Sequence, residues 1–451
     1  MWHCGLTKQL TGTMVSTLPS STVVCIVGAG PSGLACALGI SARNIPFVIV
    51  DALETGHSNS RSVGVHASAL EALYSTHPGL VNTLVSDGVP SSTIRTVDLY
   101  EQLVFEQRLS DLAPYTKFPF ILLIPQHTFE QRMHEVLPEE VTHWGKKVVA
   151  MCEDGGHYRL FFQSGETLEA QYIVAADGSK STMRKLANIK FLHPFTGKDV
   201  MPDPSDPSYV AADVIFEKPL PPNVPKDSLQ IMVGGGGMVL TAPLRSGQKD
   251  NEYFRLYLGV PDIPPPRPDQ AYLQAVIDAR GPGSHAETYP KLKIKTVLDS
   301  TRFQSRRGLA ERFVHRSPGG GNIMLIGDAA HTHGPGGAQG MHLAICDGCE
   351  LAEAISTHSG SLEALTAWGG RRRAIARQVI DRVEGIMEVE SGKMDWTSWI
   401  RLKALRAIHR LPFVGTALIW RISGLVYRES PVAVGNGKAD ANGDFNSQIL
   451  K

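Results

Sequence analysis

The chain has no excess charge, no disulfide framework and no apolar run long enough to span a bilayer. Its 451 residues carry 44 Lys plus Arg against 44 Asp plus Glu, so no bulk charge draws it to nucleic acid or to an anionic membrane. Six cysteines in a chain of this length cannot be a disulfide scaffold. Cys25 and Cys36 fall in a strand pattern and a helix pattern and read as small buried hydrophobes. Cys346 and Cys349 have C-x-x-C spacing, but with no second pair in range helix packing is favoured over zinc or dithiol chemistry, and no metal site is expected. Residues 1–21 contain one Lys and no Arg and lack a continuous apolar core, which suits a mobile lead better than a targeting peptide. Leu411–Val426 is apolar but short and is interrupted by Arg421, whereas a span needs about 20 apolar residues. A membrane-surface anchor there is the minor reading, and a cytoplasmic protein, monomer or homodimer, is expected.

What is present concentrates in glycine-rich turns after apolar runs. Ile323–Ile326 leads into Gly327-Asp328, and the loop continues through Pro335-Gly336-Gly337-Ala338-Gln339-Gly340 into a small-residue helix pattern. Such a strand delivers the Asp328 carboxylate to the mouth of a cleft. The loop then brings bare backbone up to a flat ligand and starts a helix whose N–H groups face it. Upstream, the strand Val23–Val27 is followed by Gly28-Ala29-Gly30-Pro31-Ser32-Gly33 and a small-residue helix. A second strand then ends at Asp51, about 20 residues on, where the dinucleotide fingerprint expects an acid for ribose hydroxyls. Gly28 serves the tight turn, Gly30 the approach of a pyrophosphate, and Gly33 the close packing of helix on strand. The motif alone does not separate NAD from FAD. A third strand, Tyr172–Ala176, ends in Asp177-Gly178, which alone reads as a turn whose Asp caps the next helix.

These segments, in this order, resemble the three fingerprints of class A flavoprotein monooxygenases, the para-hydroxybenzoate hydroxylase and phenol hydroxylase fold. Arg61-Ser62-Val63-Gly64 resembles that family's Arg-x-x-Gly stretch, and Pro125-Gln126 with Glu130 its Pro-Gln-x-x-x-Glu element. The resemblance implies FAD as cofactor, with Gly28, Gly30 and Gly33 at its pyrophosphate, Asp51 at the ribose, and Arg61 and Gln126 near phosphates and ribityl chain. Asp177 would serve at the Asp-Gly motif, Asp328 at the ribityl or pyrophosphate-side hydroxyls, Pro335 beside the flavin ring, and Gly340 and Met341 at its pyrimidine edge. The family mechanism uses NADPH or NADH as a transient co-substrate and O2, and hydroxylates an electron-rich small molecule through a flavin C4a-hydroperoxide. An aromatic, phenolic or polyketide-like substrate from specialised metabolism is thereby implied. Epoxidation, Baeyer–Villiger insertion, dehydrogenation and flavin binding without turnover are the alternatives.

The sequence departs from the family pattern in places. His342 stands where an Asn is usual, and Ala338, Ala344 and Gly348 replace commoner choices. His342 is thus a candidate catalytic group beside Pro335, or it turns into helix packing. Val63 stands where phenol hydroxylases place an acid, so no phenolate-forming base carries over.

The expected fold is α/β: a Rossmann-type FAD-binding domain (22–192 and 304–360), an inserted substrate domain of mixed β-sheet (193–303), C-terminal helices (361–430) and a flexible tail (431–451). Within the insert, Tyr209–Ile215 and Tyr253–Leu258 read as strands, Gly234–Gly237 as a hairpin turn, and Pro261–Pro268 as a linker or sheet-edge loop. Arg245, Tyr253 and Tyr257 are its candidate substrate contacts. Two Arg-rich helices, Leu365–Val389 and Trp399–Ile408, follow, and Arg371–Arg373 reads as a solvated helix face.

Overall fold

The computed structural model describes residues 17–56, 62–201, 203, 206–245, 252–285, 288–357, 361–390 and 412–428. Arg61, the Trp399–Ile408 helix and the expected tail lie outside the described residues.

Two sheets organise the chain. The first has eight strands, in the order Val314–Arg316, Asn322–Leu325, Thr167–Ala175, Ser21–Val27, Phe47–Val50 and Thr142–His143, with the hairpin Val148–Asp154/His157–Phe162 attached to Thr167–Ala175. Its centre is parallel: Val27 pairs with Val50 on one side and Ala175 on the other, and Ala175 pairs with Leu325. Parallel strands are buried on both faces, which explains their unbroken apolar runs. Each of these strands therefore delivers its following turn, at Gly28, Asp51, Asp177 and Asp328, to the same edge, where open α/β sheets bind ligands.

The helix Pro31–Ser41 covers this sheet and packs against the long helix Gln339–Ser356. Small residues set the spacing. A Cβ on Gly348 would stand 2.5 Å from the Ser32 carbonyl oxygen, and one on Gly39 would meet the Ala352 Cβ at 2.5 Å. The departure at Gly348 thus has a packing cause. Cys25, Cys36 and Cys346 are buried, Cys349 is half-buried, and all four are free thiols.

The second sheet has seven strands, ordered Ile294–Gln304, Ser208–Phe216, Glu252–Gly259, Gly237–Arg245, Leu229–Gly234, Thr93–Asp98 and Leu103–Arg108. All its pairs are antiparallel except Leu229–Gly234 with Thr93–Asp98. The sheet is mixed, as expected, and Gly234 and Gly237 close the expected hairpin. It takes its last two strands from 93–108, well before the 193–303 span.

The C-terminal helices Leu362–Glu390 and Pro412–Ile422 pack on the rest. The Gln339 amide donates to the Ile422 carbonyl oxygen at 2.9 Å, Ser68 N–H donates to the Ser423 carbonyl oxygen at 3.1 Å, and Ile419 is buried. Ile419 and Ile422 thus turn the helix Pro412–Ile422 toward the interior. Among the described residues no helix is long and apolar enough to cross a membrane.

Arg372 corrects the expectation of a solvated arginine face. It is 2% exposed, and its guanidinium donates to Asp347 at 2.7 Å and to Glu350 at 2.8 Å. Successive helical residues are about 100° apart, so three in a row cannot share one face.

Candidate active site

The turns of the first sheet and one face of the second enclose a single cavity of about 1790 Å³. Gly28, Gly30, Asp51, Gln126, Asp177, Asp328, Pro335, Gly340, Met341 and Tyr257 all line it. Gly33, His342, Tyr253 and Arg245 do not.

At the glycine end the local chemistry is backbone chemistry. Gly28 has φ +114°, and a Cβ there would stand 2.3 Å from the Ala176 carbonyl oxygen, so this turn admits no side chain. Gly33 lies against the Gly28 carbonyl, whereas a Cβ on Gly30 would meet nothing within 4 Å: the middle glycine faces open cavity. Helix Pro31–Ser41 starts there with no side-chain cap, leaving first-turn N–H groups for an anion. Asp51 Oδ2 accepts from Ala29 N–H and Oδ1 from Leu53 N–H, both at 2.8 Å. The carboxylate therefore also braces the glycine loop.

Asp177 does what a plain capping reading expects: Oδ2 accepts from Thr182 and Met183 N–H at 2.7 and 3.0 Å, and Oδ1 from Ser181 Oγ. It reaches the cavity as the anchor of the 178–183 turn. Gln126 accepts from Ser62 N–H at 3.2 Å and donates to Glu130 at 2.8 Å, which ties the two extra family-like segments together.

The Gly327–Gly340 loop is held from beneath by a network that sequence reasoning missed. Asp347 is fully buried and accepts from His331 Nε2 at 2.6 Å, Arg372 Nε at 2.7 Å and Gly327 N–H at 3.1 Å. Burial alone would raise its pKa, but Arg372 and His331 outweigh that and hold the carboxyl below its ordinary value. Asp347 thus fixes the turn that presents Asp328. Further along, Ala338 adopts left-handed backbone at φ 53° just before helix Gln339–Ser356, whose start has no side-chain cap. A glycine would hold that conformation without strain.

His342 sits away from the cavity, against His66 at 5.5 Å between ring centroids and Ser68 Oγ at 3.3 Å, with Gly424 over it. Burial, with His66 and Arg372 nearby, drives its pKa well below the ordinary value. The structure gives it the packing role and corrects its candidacy as a group at the reacting centre. His333, absent from the sequence candidates, does line the cavity. Its Nδ1 donates to the Gly334 carbonyl oxygen at 2.8 Å, and burial pushes its pKa down to about 4, so the ring is neutral at pH 7.

The second sheet forms the other wall. Tyr257 pairs with Leu240, Leu240 with Ile231, Ile231 with Thr96, and Thr96 with Phe105. That row of one residue per strand faces the cavity. Tyr253 shares the Tyr257 face but lies beyond the buried Arg255–Asp213 ion pair, where burial and Asp213 raise its pKa to about 12. Arg245 is exposed at the strand end opposite Glu252. Neither reaches the cavity, which corrects both as substrate contacts.

The cavity's polar atoms suit FAD. The open face of Gly30, the two uncapped helix starts, and Thr332 Oγ1 and His333 Nε2, which are buried without a partner among the described residues, would provide donors and acceptors for pyrophosphate, hydroxylated chain and ring edge. Residues 21–383 match the model of the family described as "FAD binding domain". The chain belongs to that family. It is 25% identical over 441 residues to 6-methylpretetramide 4-monooxygenase of Streptomyces rimosus, covering 93% of this chain and 72% of that one. It is 24% identical over 442 residues to pentachlorophenol 4-monooxygenase of Sphingobium chlorophenolicum, covering 90% and 71%. The fold matches p-nitrophenol 4-monooxygenase from Pseudomonas putida DLL-E4 with a TM-score of 0.72, at 20% identity, over 90% of this chain and 99% of that one. Family and relatives support a flavin-dependent hydroxylase role.

Proposed function

We propose that the protein is an FAD-dependent monooxygenase that uses NADPH or NADH and O2 to hydroxylate an aromatic or polyketide-like small molecule. The observation that carries this reading is the single cavity, with dinucleotide-binding backbone at one end and an apolar sheet wall at the other. When bound, FAD supplies reduction by the nicotinamide and activation of dioxygen.

The chain's own residues do the positioning. Gly28, Gly30 and the start of Pro31–Ser41 would hold the pyrophosphate, and Asp51 the adenosine ribose, while it keeps Ala29 and Leu53 in place. Gln126 and Asp328 would receive the hydroxylated chain. Gly340 and Met341 present N–H groups at a helix start, whose positive end stabilises negative charge on the ring edge. Pro335 would pack at the ring beside Gly336, which lies against Met387 and Val383 of the long C-terminal helix. Leu240, Ile231, Phe105 and Tyr257, with Leu418 and Ile422 from the last helix, wall off water where a reactive oxygen species must be protected. The proposed division of labour is a discontinuous FAD-binding part and a sheet-built substrate part, in a cytoplasmic monomer or homodimer.

The test is NADPH and O2 consumption by the purified holoenzyme with released peroxide quantified across phenols, indoles and polyketides. Consumption that rises with one compound while peroxide stays low is expected. Bound FAD with no oxidation of NADPH or NADH under any condition would overturn the reading in favour of flavin binding without turnover.

A further inference from the structure

The cavity-facing side of the second sheet is mostly apolar, with Thr96, Gln107, Tyr257 and Gln304 as its polar members. On strand Leu103–Arg108, Phe105 and Gln107 are two apart and so share a face. Gln107 pairs with Ile94, and Ile94 with Leu229; all of these line the cavity. Among the described residues the Gln107 Oε1 is buried with no hydrogen-bond partner. A buried amide oxygen without a donor is costly, and a cavity wall is where a ligand can supply one.

The rest of that wall leaves little polar competition. Thr96 lies in the central row, the Tyr257 side chain hydrogen-bonds Arg255, and the Arg255 charge is matched by Asp213, whose Oδ2 lies 2.9 Å from Nη2. The sheet wall thus offers an uncharged amide in an apolar surround rather than an open cation. At Gln107 that favours a neutral ring substituent that donates a hydrogen bond and disfavours a carboxylate turned toward the amide oxygen, because the cavity's arginines, Arg306 and Arg382 among them, come from outside this sheet.

We propose that Gln107 is the specificity-determining anchor of the substrate chamber, accepting a hydrogen bond from a hydroxyl group on an uncharged aromatic ring. This rests on the hydroxylase reading for the identity of the chamber. Sites that hydrogen-bond a substrate hydroxyl reject the analogue lacking it far more strongly than apolar pockets reject a missing methylene.

The experiment titrates FAD-loaded protein with 1-naphthol, naphthalene and 1-naphthoate, following the flavin absorbance change, for the natural chain and for Gln107→Leu. The natural protein should bind 1-naphthol about tenfold or more tightly than either other probe, as one hydrogen bond to a buried group requires. Gln107→Leu should bind 1-naphthol and naphthalene about equally, with unchanged FAD content and an unfolding temperature no lower than the natural protein's. That stability result separates an anchor from a structural residue, because an amide that braces the sheet would lower it on removal. Three outcomes overturn the proposal: no preference for 1-naphthol in the natural protein, a preference for 1-naphthoate, or a preference that survives in Gln107→Leu. A Gln107-dependent preference without NADPH-linked oxygen transfer to any aromatic compound would instead overturn the hydroxylase reading and leave the anchor standing.

Discussion

The two walls of the cavity are built by opposite means. On the cofactor side the carboxylates are already committed to the protein's own backbone: Asp51 to Ala29 and Leu53, Asp177 to Thr182 and Met183, Asp347 to Gly327. On the sheet side the surface is mostly aliphatic and aromatic, and among the described residues the Gln107 amide oxygen has no partner. A cofactor common to a whole family needs a rigid, pre-paired cradle. A substrate that varies among family members is met by side chains that can change without disturbing the backbone.

The largest effect should come from breaking the cofactor side. Asp347→Ala leaves the buried Arg372 with Glu350 as its only carboxylate among the described residues and strips His331 and Gly327 of their acceptor, and removing one member of a buried pair costs about 3–5 kcal/mol. Thermal unfolding with and without added FAD should show a large fall in stability and a loss of bound flavin together. Loss of stability with normal flavin content would mean that Asp347 does not position the Gly327–Asp328 turn.

Acid should weaken the same side. Burial pushes the fully buried His66 down to about 4, so between about pH 6.5 and pH 4 the unfolded chain binds a proton that the folded chain refuses. Stability is complete above that window and declines as pH falls through it, by about 1.4 kcal/mol per pH unit for such a histidine. His342 shifts in the same direction. Unfolding temperature against pH should be flat above pH 7 and fall below 6.5. His66→Phe should flatten the acid limb, and an unchanged limb would show that His66 is not its source.

On the substrate side, Leu240→Ala enlarges the chamber without touching a flavin contact. The expected result is full FAD content with substrate affinity weakened about tenfold or more and more peroxide per NADPH; even one missing methylene in a pocket is worth about 1–3 kcal/mol. A loss of flavin instead would erase the distinction between the two walls. The smallest effect is expected at Ala338→Gly, which relieves a left-handed alanine. A gain of about 1 kcal/mol is expected, near the cost of that conformation for an L-residue, read as a small rise in unfolding temperature.

The comparison also explains what the sequence could show. The glycine turns were legible because each is a local pattern whose strand, turn and helix lie within about 30 residues. The sheet wall was not, because its cavity row brings together Phe105, Thr96, Ile231, Leu240 and Tyr257 from five strands. Nothing near Phe105 in the sequence points to a strand more than a hundred residues away. Tyr253 and Tyr257 are indistinguishable by alternation, and only the Arg255–Asp213 pair decides which one meets the cavity. Arg372 and His342 were misjudged or left open for a related reason: a helical residue's face is decided by its partners, here Asp347 for one and Ser68 for the other. The spacing of Arg371–Arg373 did carry one usable signal, since a single arginine of three had to turn inward.

The most direct test of the central claim is the fate of isotopically labelled dioxygen during turnover with NADPH and an accepted aromatic compound. The expected result is one labelled oxygen atom in the organic product for each NADPH oxidised, with little peroxide. Label found only in peroxide and water, with the aromatic compound recovered unchanged, would contradict oxygen transfer in this cavity.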